Sequence, residues 1–154
     1  MPPQIHAYLL VTTRSKQRVL DFLDEFVPER QALADAYELP QHAAGPEVVF
    51  ESADELLAAL EDRPAEGYAL YWGSTRRTGP RGAIVAHTTD GKIVFGLSVD
   101  EDDEELAADF LARMESFFGG VCPGYLAWEE PPLDNAEEFL VREAVFRTAG
   151  RPLV

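Results

Sequence analysis

The sequence predicts an α+β fold, a two-layer sandwich in which helices cover one face of a mainly antiparallel sheet of about five to six strands. Three observations carry that expectation. Apolar runs of strand length alternate with stretches whose apolar residues recur at helical spacing. Two of the runs, Ala83 to Thr88 and Lys92 to Val99, are joined through Asp90-Gly91, a pair suited to the positive φ values of a tight hairpin turn. Finally, 154 residues at 46% hydrophobic and 10% aromatic can bury one substantial core. With no long linker and no internal repeat, that predicts a single domain over residues 1–154.

Taken in order, Ile5 to Thr12 reads as a central strand, with Ile5, Ala7, Leu9 and Val11 on one face and Tyr8 and Leu10 on the other. Arg14 to Phe26 follows helical spacing through Val19, Phe22, Leu23 and Phe26. Pro28 ends or bends it before a second helical piece carrying Leu33, Ala36 and Tyr37. Residues 41 to 46 form a loop, and Glu47 to Glu51 a short strand. Ser52 and Glu55 make a capping box for a helix over Ala53 to Asp62. Pro64 and Gly67 break that helix, and Y-A-L-Y-W, 68 to 72, returns as an aromatic-rich strand. After the loop G-S-T-R-R-T-G-P-R-G comes the hairpin. Leu106, Phe110, Met114, Phe117 and Phe118 then mark a helix stopped by Gly119-Gly120. G-Y-L-A-W, 124 to 128, is a last strand, closed by E-E-P-P, and Asp134 or Asn135 caps a final helix through about Phe146. Phe22, Leu70, Phe95, Phe110 and Trp128 are expected to share one core.

The charge balance bounds the partners. With 28 acids against 13 bases the formal charge is −15, which repels a phosphate backbone and argues against nucleic acid as a direct ligand. The same field speeds encounter with a basic protein partner, and it also serves solubility. Cys122 is the only cysteine, so no internal disulfide forms and a reducing compartment fits. The first apolar run is too short for a leader or a membrane span, which makes a cytoplasmic location and no membrane partner the expectation.

Asp100, Glu101, Asp102, Asp103, Glu104 and Glu105 form the most unusual stretch. They stand at the start of the helix carrying Leu106, where acids face the positive end of the helix dipole and one Asp can cap a free amide. Six exceed that need, since Glu101 and Glu105 are like charges four apart. The surplus suits a docking surface for a basic partner. A calcium loop requires glycine at its sixth position, where Glu105 stands, so no metal site is expected.

Other chemistry is sparse. Arg76, Arg77 and Arg81 share one loop and could clamp an anion, although pairing with the acid-rich helix start explains them as well. His6, His42 and His87 lack metal-ligand spacing. His87 is the best general-base candidate, and a structural histidine is the plainer reading. Glu129, beside Trp128, is a carboxylate whose pKa an aromatic neighbour could raise. Cys122 would act as a nucleophile only with a histidine in reach. The glycine-rich, nucleophile-elbow and zinc-protease motifs are absent from the sequence.

A compact, very acidic, single-cysteine profile without a catalytic signature resembles small bacterial toxin-neutralising immunity proteins. That resemblance of profile implies a non-enzymatic domain docking a basic protein, with no cofactor. The alternative is a small enzyme or ligand-binding domain using the Arg loop with His87 or Glu129. Convergence of those side chains on one apolar cleft would favour it. A homodimer is the third reading, expected to show as a large apolar patch on a sheet face.

Overall fold

The computed structural model describes residues 3–42, 44–120 and 122–148. Its centre is a six-stranded sheet built from β1 (Gln4–Val11), β2 (Arg30–Ala32), β5 (Tyr68–Ser74), β6 (Gly82–His87), β7 (Ile93–Asp100) and β8 (Gly124–Trp128), in the order β2-β5-β6-β7-β1-β8. Every neighbouring pair is antiparallel. A small second sheet pairs β3 (Tyr37–Leu39) with β4 (Val48–Phe50). The helices are α1 (Lys16–Phe26), α2 (Ala53–Glu61), α3 (Glu104–Phe117) and α4 (Ala136–Thr148). The α+β class read from the sequence is the class observed.

Alternation along the strands divides the buried residues between two faces. On the first, Ile5, Leu9, Val85 and Phe95 pack against Phe22 and Leu23 of α1 and Phe110 and Met114 of α3. Leu56, Leu57 and Leu60 of α2 extend the same cluster, as do Tyr37 and Leu39 of β3. On the second face, Tyr8, Leu10, Val94 and Tyr125 pack against Ala136 and Phe139 of α4. The sheet is therefore covered on both sides, not on one, because β1 and β7 carry apolar residues at successive positions and α4 supplies the second layer.

Residues 30 to 39 depart from the expected helical piece. They form β2 and β3, joined to β5 and β4. Three apolar residues without a cap make a poor helix, whereas the exposed edge of β5 offers hydrogen bonds to any extended segment. Leu33, whose amide donates to the Tyr71 carbonyl, is left 65% exposed. Gln41 completes the edge with its side chain, accepting from the Ala69 amide at 2.9 Å and donating to the Ala69 carbonyl at 3.1 Å.

The starts of α2 and α3 follow the sequence signals, and α1 begins at Lys16 behind a serine cap that its spacing alone did not mark. Ser15, Ser52 and Asp103 accept from the amides of Arg18, Glu55 and Leu106. The hairpin forms, but only Gly91 has positive φ, at 87°. Its turn runs through Thr89, Asp90 and Gly91, which frees the Asp90 carboxylate to accept from the amides of Ala136 and Glu137 at the start of α4. Trp128 also departs from expectation. It is 37% exposed, outside the core that holds Phe22, Leu70, Phe95 and Phe110, because it ends β8 at the margin of the sheet.

Candidate functional site

Cross-strand register lines up two rows of second-face residues. One row runs Tyr71, Ile84, Gly96, Tyr8 and Tyr125, and the next Gly73, Gly82, Ser98, His6 and Ala127. The second row is made almost wholly of small residues across the centre of the sheet. Over that row lies a cleft of about 570 Å³. Gly73, Gly82 and Ser98 contribute to its floor. Tyr71 and Leu33 stand on one side, Tyr8, Pro131 and Pro132 on the other. Gly82 accepts no side chain, since a Cβ there would lie 2.5 Å from the Trp72 carbonyl oxygen.

Polar groups in the cleft are few and mostly answered. His6 Nδ1 and Ser98 Oγ are 2.7 Å apart, with Ser98 only 5% exposed. Burial holds the His6 pKa below its ordinary value, against the opposing pull of the Glu129 charge. The His6 ring is therefore mainly neutral at pH 7. The Tyr8 hydroxyl donates to the Glu130 carbonyl at 2.6 Å, and burial raises its pKa strongly. At one end Arg81 donates from Nε and Nη2 to both oxygens of Asp100, the shortest contact being 2.8 Å. That bond holds the Asp100 carboxyl below its usual range. Beyond the other wall, Arg142 pairs with Glu130 at 2.5 Å.

Glu129 is the exception. It lines the cleft with φ of 58°, a left-handed conformation that non-glycine residues seldom adopt. Among the described residues its carboxylate has no hydrogen bond or ion pair, and strain of this kind gathers at functional positions.

Of the residues singled out from sequence, Arg81, Glu129 and His6 line this cleft, and Arg76, Arg77 and His87 do not. Arg76 lies 3.5 Å from Glu29, and Arg77 is exposed outside the cleft lining. His87 is on the first face, opposite Tyr68 and Ile93, and 3% exposed. Burial, with the nearby Arg14 charge, lowers its pKa to about 3, and it stands on the face away from the cleft, in keeping with a structural histidine. Arg14 itself is structural, donating to the carbonyls of Leu60, Arg63, Glu66 and Thr88.

In the acid run, Asp100 belongs to β7 and Asp103 caps α3. Glu101, Asp102, Glu104 and Glu105 are exposed. Burial raises the Cys122 thiol pKa, which makes it a poorer nucleophile. Among the described residues no group of three or more His, Cys, Asp or Glu side chains could hold a metal ion, and no helix is long and apolar enough to cross a membrane.

His6 and Ser98 were not foreseen as partners, since they stand 92 residues apart and meet only because β1 pairs with β7. No protein-family model matches the chain, and no match is found among curated proteins or solved structures.

Proposed function

We propose that this protein is a binding domain for a small, largely apolar molecule held in the second-face cleft. The observation that supports it is the floor. Gly73 and Ser98 lie within a six-stranded sheet at positions where larger apolar residues would bury more area and stabilise the fold, while Gly82 between them is held to glycine by the Trp72 carbonyl. A volume of about 570 Å³ suits a drug-sized or smaller ligand. Tyr71 and Leu33, both exposed, offer apolar surface to whatever enters. His6 and Ser98, which satisfy one another, serve as a polar anchor in the floor.

The test is to fill the cleft. A Cβ on Gly73 would meet only Leu33 Cδ2, at 3.5 Å, so Gly73→Leu should fold and occupy the space. In an NMR titration with 2-naphthol, the parent protein should shift the amides of Tyr8, Ile84, Gly96 and Ser98, and Gly73→Leu should not. Shifts confined to another surface, or undiminished in the folded variant, would refute the reading.

A second reading is docking of a basic protein along the start of α3, in the manner of a toxin-neutralising protein. The exposure of Glu101, Asp102, Glu104 and Glu105, beyond the two acids already used by Arg81 and the cap, favours it. Such charges act chiefly on association rate. Neutralising these four to Gln or Asn should slow association and flatten its salt dependence; equal rates and equal salt slopes would sink it.

A further inference from the structure

The charges around the cleft point to a ligand class. Arg81 is taken by Asp100 through two guanidinium nitrogens, and Glu130 by Arg142. Ser98 and His6 hold each other. What remains is Glu129, an exposed residue at the rim of the cleft with a left-handed backbone and no ion-pair partner among the described residues. An anionic ligand would meet that carboxylate, a neutralised arginine and a net charge of −15. A cation meets the opposite: long-range attraction, a carboxylate at the rim, and the exposed ring of Tyr71, whose face attracts positive charge.

Building on the cleft reading, we infer that the ligand is a small molecule with an aromatic or branched apolar body and a protonated amine, the amine paired with Glu129 and the body lying over Ile84 against the exposed ring of Tyr71. Body and charge are read by different groups: the apolar walls admit the body, and Glu129 selects the amine. The neutral His6 ring adds no positive charge beside Glu129 at pH 7, and the Arg81 guanidinium in the lining is already held by Asp100. The unusual φ of 58° follows the same logic. The chain leaves β8 at Trp128 and turns into Pro131-Pro132, and the left-handed residue between is a glutamate where glycine would be less strained.

Three isosteric probes separate this inference from the reading beneath it: tryptamine, the neutral alcohol tryptophol, and indole-3-propionate. Each is titrated at pH 7 by NMR on the full chain. Tryptamine should bind about tenfold tighter than tryptophol, as expected for one charge-assisted hydrogen bond, with indole-3-propionate weakest. Added salt should weaken tryptamine but not tryptophol. Glu129→Gln should bring tryptamine and tryptophol to similar affinity while leaving tryptophol unchanged. Glu129→Gly should do the same and raise the melting temperature, because it relieves the left-handed conformation. If tryptophol shifts the cleft amides as strongly as tryptamine, or Glu129→Gln preserves the gap, the amine assignment is wrong and the cleft reading stands. If none of the three probes shifts Tyr8, Ile84 or Ser98, both fall.

Discussion

The ring of Tyr8 lies where a side chain on Gly96 would be. A Cβ on Gly96 would come within 2.9 Å of two Tyr8 ring carbons and 3.3 Å of Ile84 Cβ. Tyr8 cannot move aside freely, since its hydroxyl is fixed to the Glu130 carbonyl and its ring meets Tyr125 edge-on at 5.9 Å. Glycine in the middle of a strand is normally a weakness. Here it seats the aromatic residue that forms one wall of the cleft. Gly96→Ala should therefore cost about 1–3 kcal/mol by overpacking. Gly73→Ala, with open space above it, should cost little. Urea unfolding of the two variants checks the contrast, and equal stabilities would show that Tyr8 yields easily.

Buried histidines set an acid-side slope. His87 takes a proton near pH 6.5 in an unfolded chain but only at about pH 3 in the fold. Between those values the unfolded state binds more protons, so stability falls as pH drops below about 6.5, by at most about 1.4 kcal/mol per pH unit for this residue. His6, lowered by burial, adds in the same direction. Asp90 and Asp100 are held below their ordinary values and lose their contribution only at lower pH. Unfolding free energies measured at pH 7, 6 and 5 should thus decline, and His87→Gln should flatten the decline. An unchanged slope in that variant would assign it elsewhere.

Asp90 ties the hairpin to α4. Burial alone would raise its pKa, yet hydrogen bonds from Ala136, the Thr88 hydroxyl and Glu137 bring it below the ordinary value. Asp90→Ala removes an acceptor for two amides at a helix start and should cost about 1–2 kcal/mol. Amide exchange should quicken in α4 more than in α3, because only α4 loses a cap. Uniform quickening would point to a general loss of stability instead.

Phe110 is buried in the first-face core, near Phe26 and beneath the Arg113 guanidinium. Its truncation to Ala should cost about 3–5 kcal/mol. Thermal or urea denaturation tests this directly, and a loss below about 1 kcal/mol would mean the helix repacks around the gap.

Local patterns were legible wherever one element decides its own structure. The periodicity of Val19, Phe22, Leu23 and Phe26 gave α1, and Ser52 marked the start of α2. Patterns failed where a distant partner decides. Residues 30–32 are a strand because β5 has an edge to fill, and nothing in R-Q-A announces it. Trp128 looked like core by composition, but its place at the end of β8 leaves it partly in water. The site was readable in part: Arg81 stood out in an arginine-bearing loop and Glu129 as an acid beside an aromatic at a strand end. His6, Ser98 and the glycine floor did not, because their meaning depends on β1 lying beside β7 and on the register that aligns Gly73, Gly82 and Ser98.

The position of β1 bears on how the chain comes to fold. Within this domain β1 is paired on one side by β7 and on the other by β8, and neither exists until residues 93–100 and 124–128 have been synthesised. Until then Ile5, Leu9 and Leu10 have no sheet to join, and an apolar strand with both edges open must wait, exposed to any other strand it meets. Its contacts span most of the chain, and such high contact order predicts refolding in milliseconds to seconds, not microseconds. During synthesis the hairpin of β6 and β7 can form early, while closure of the sheet waits for the final strand. The vulnerable interval lies between those events, when the apolar faces of the unpaired strands are open to other chains.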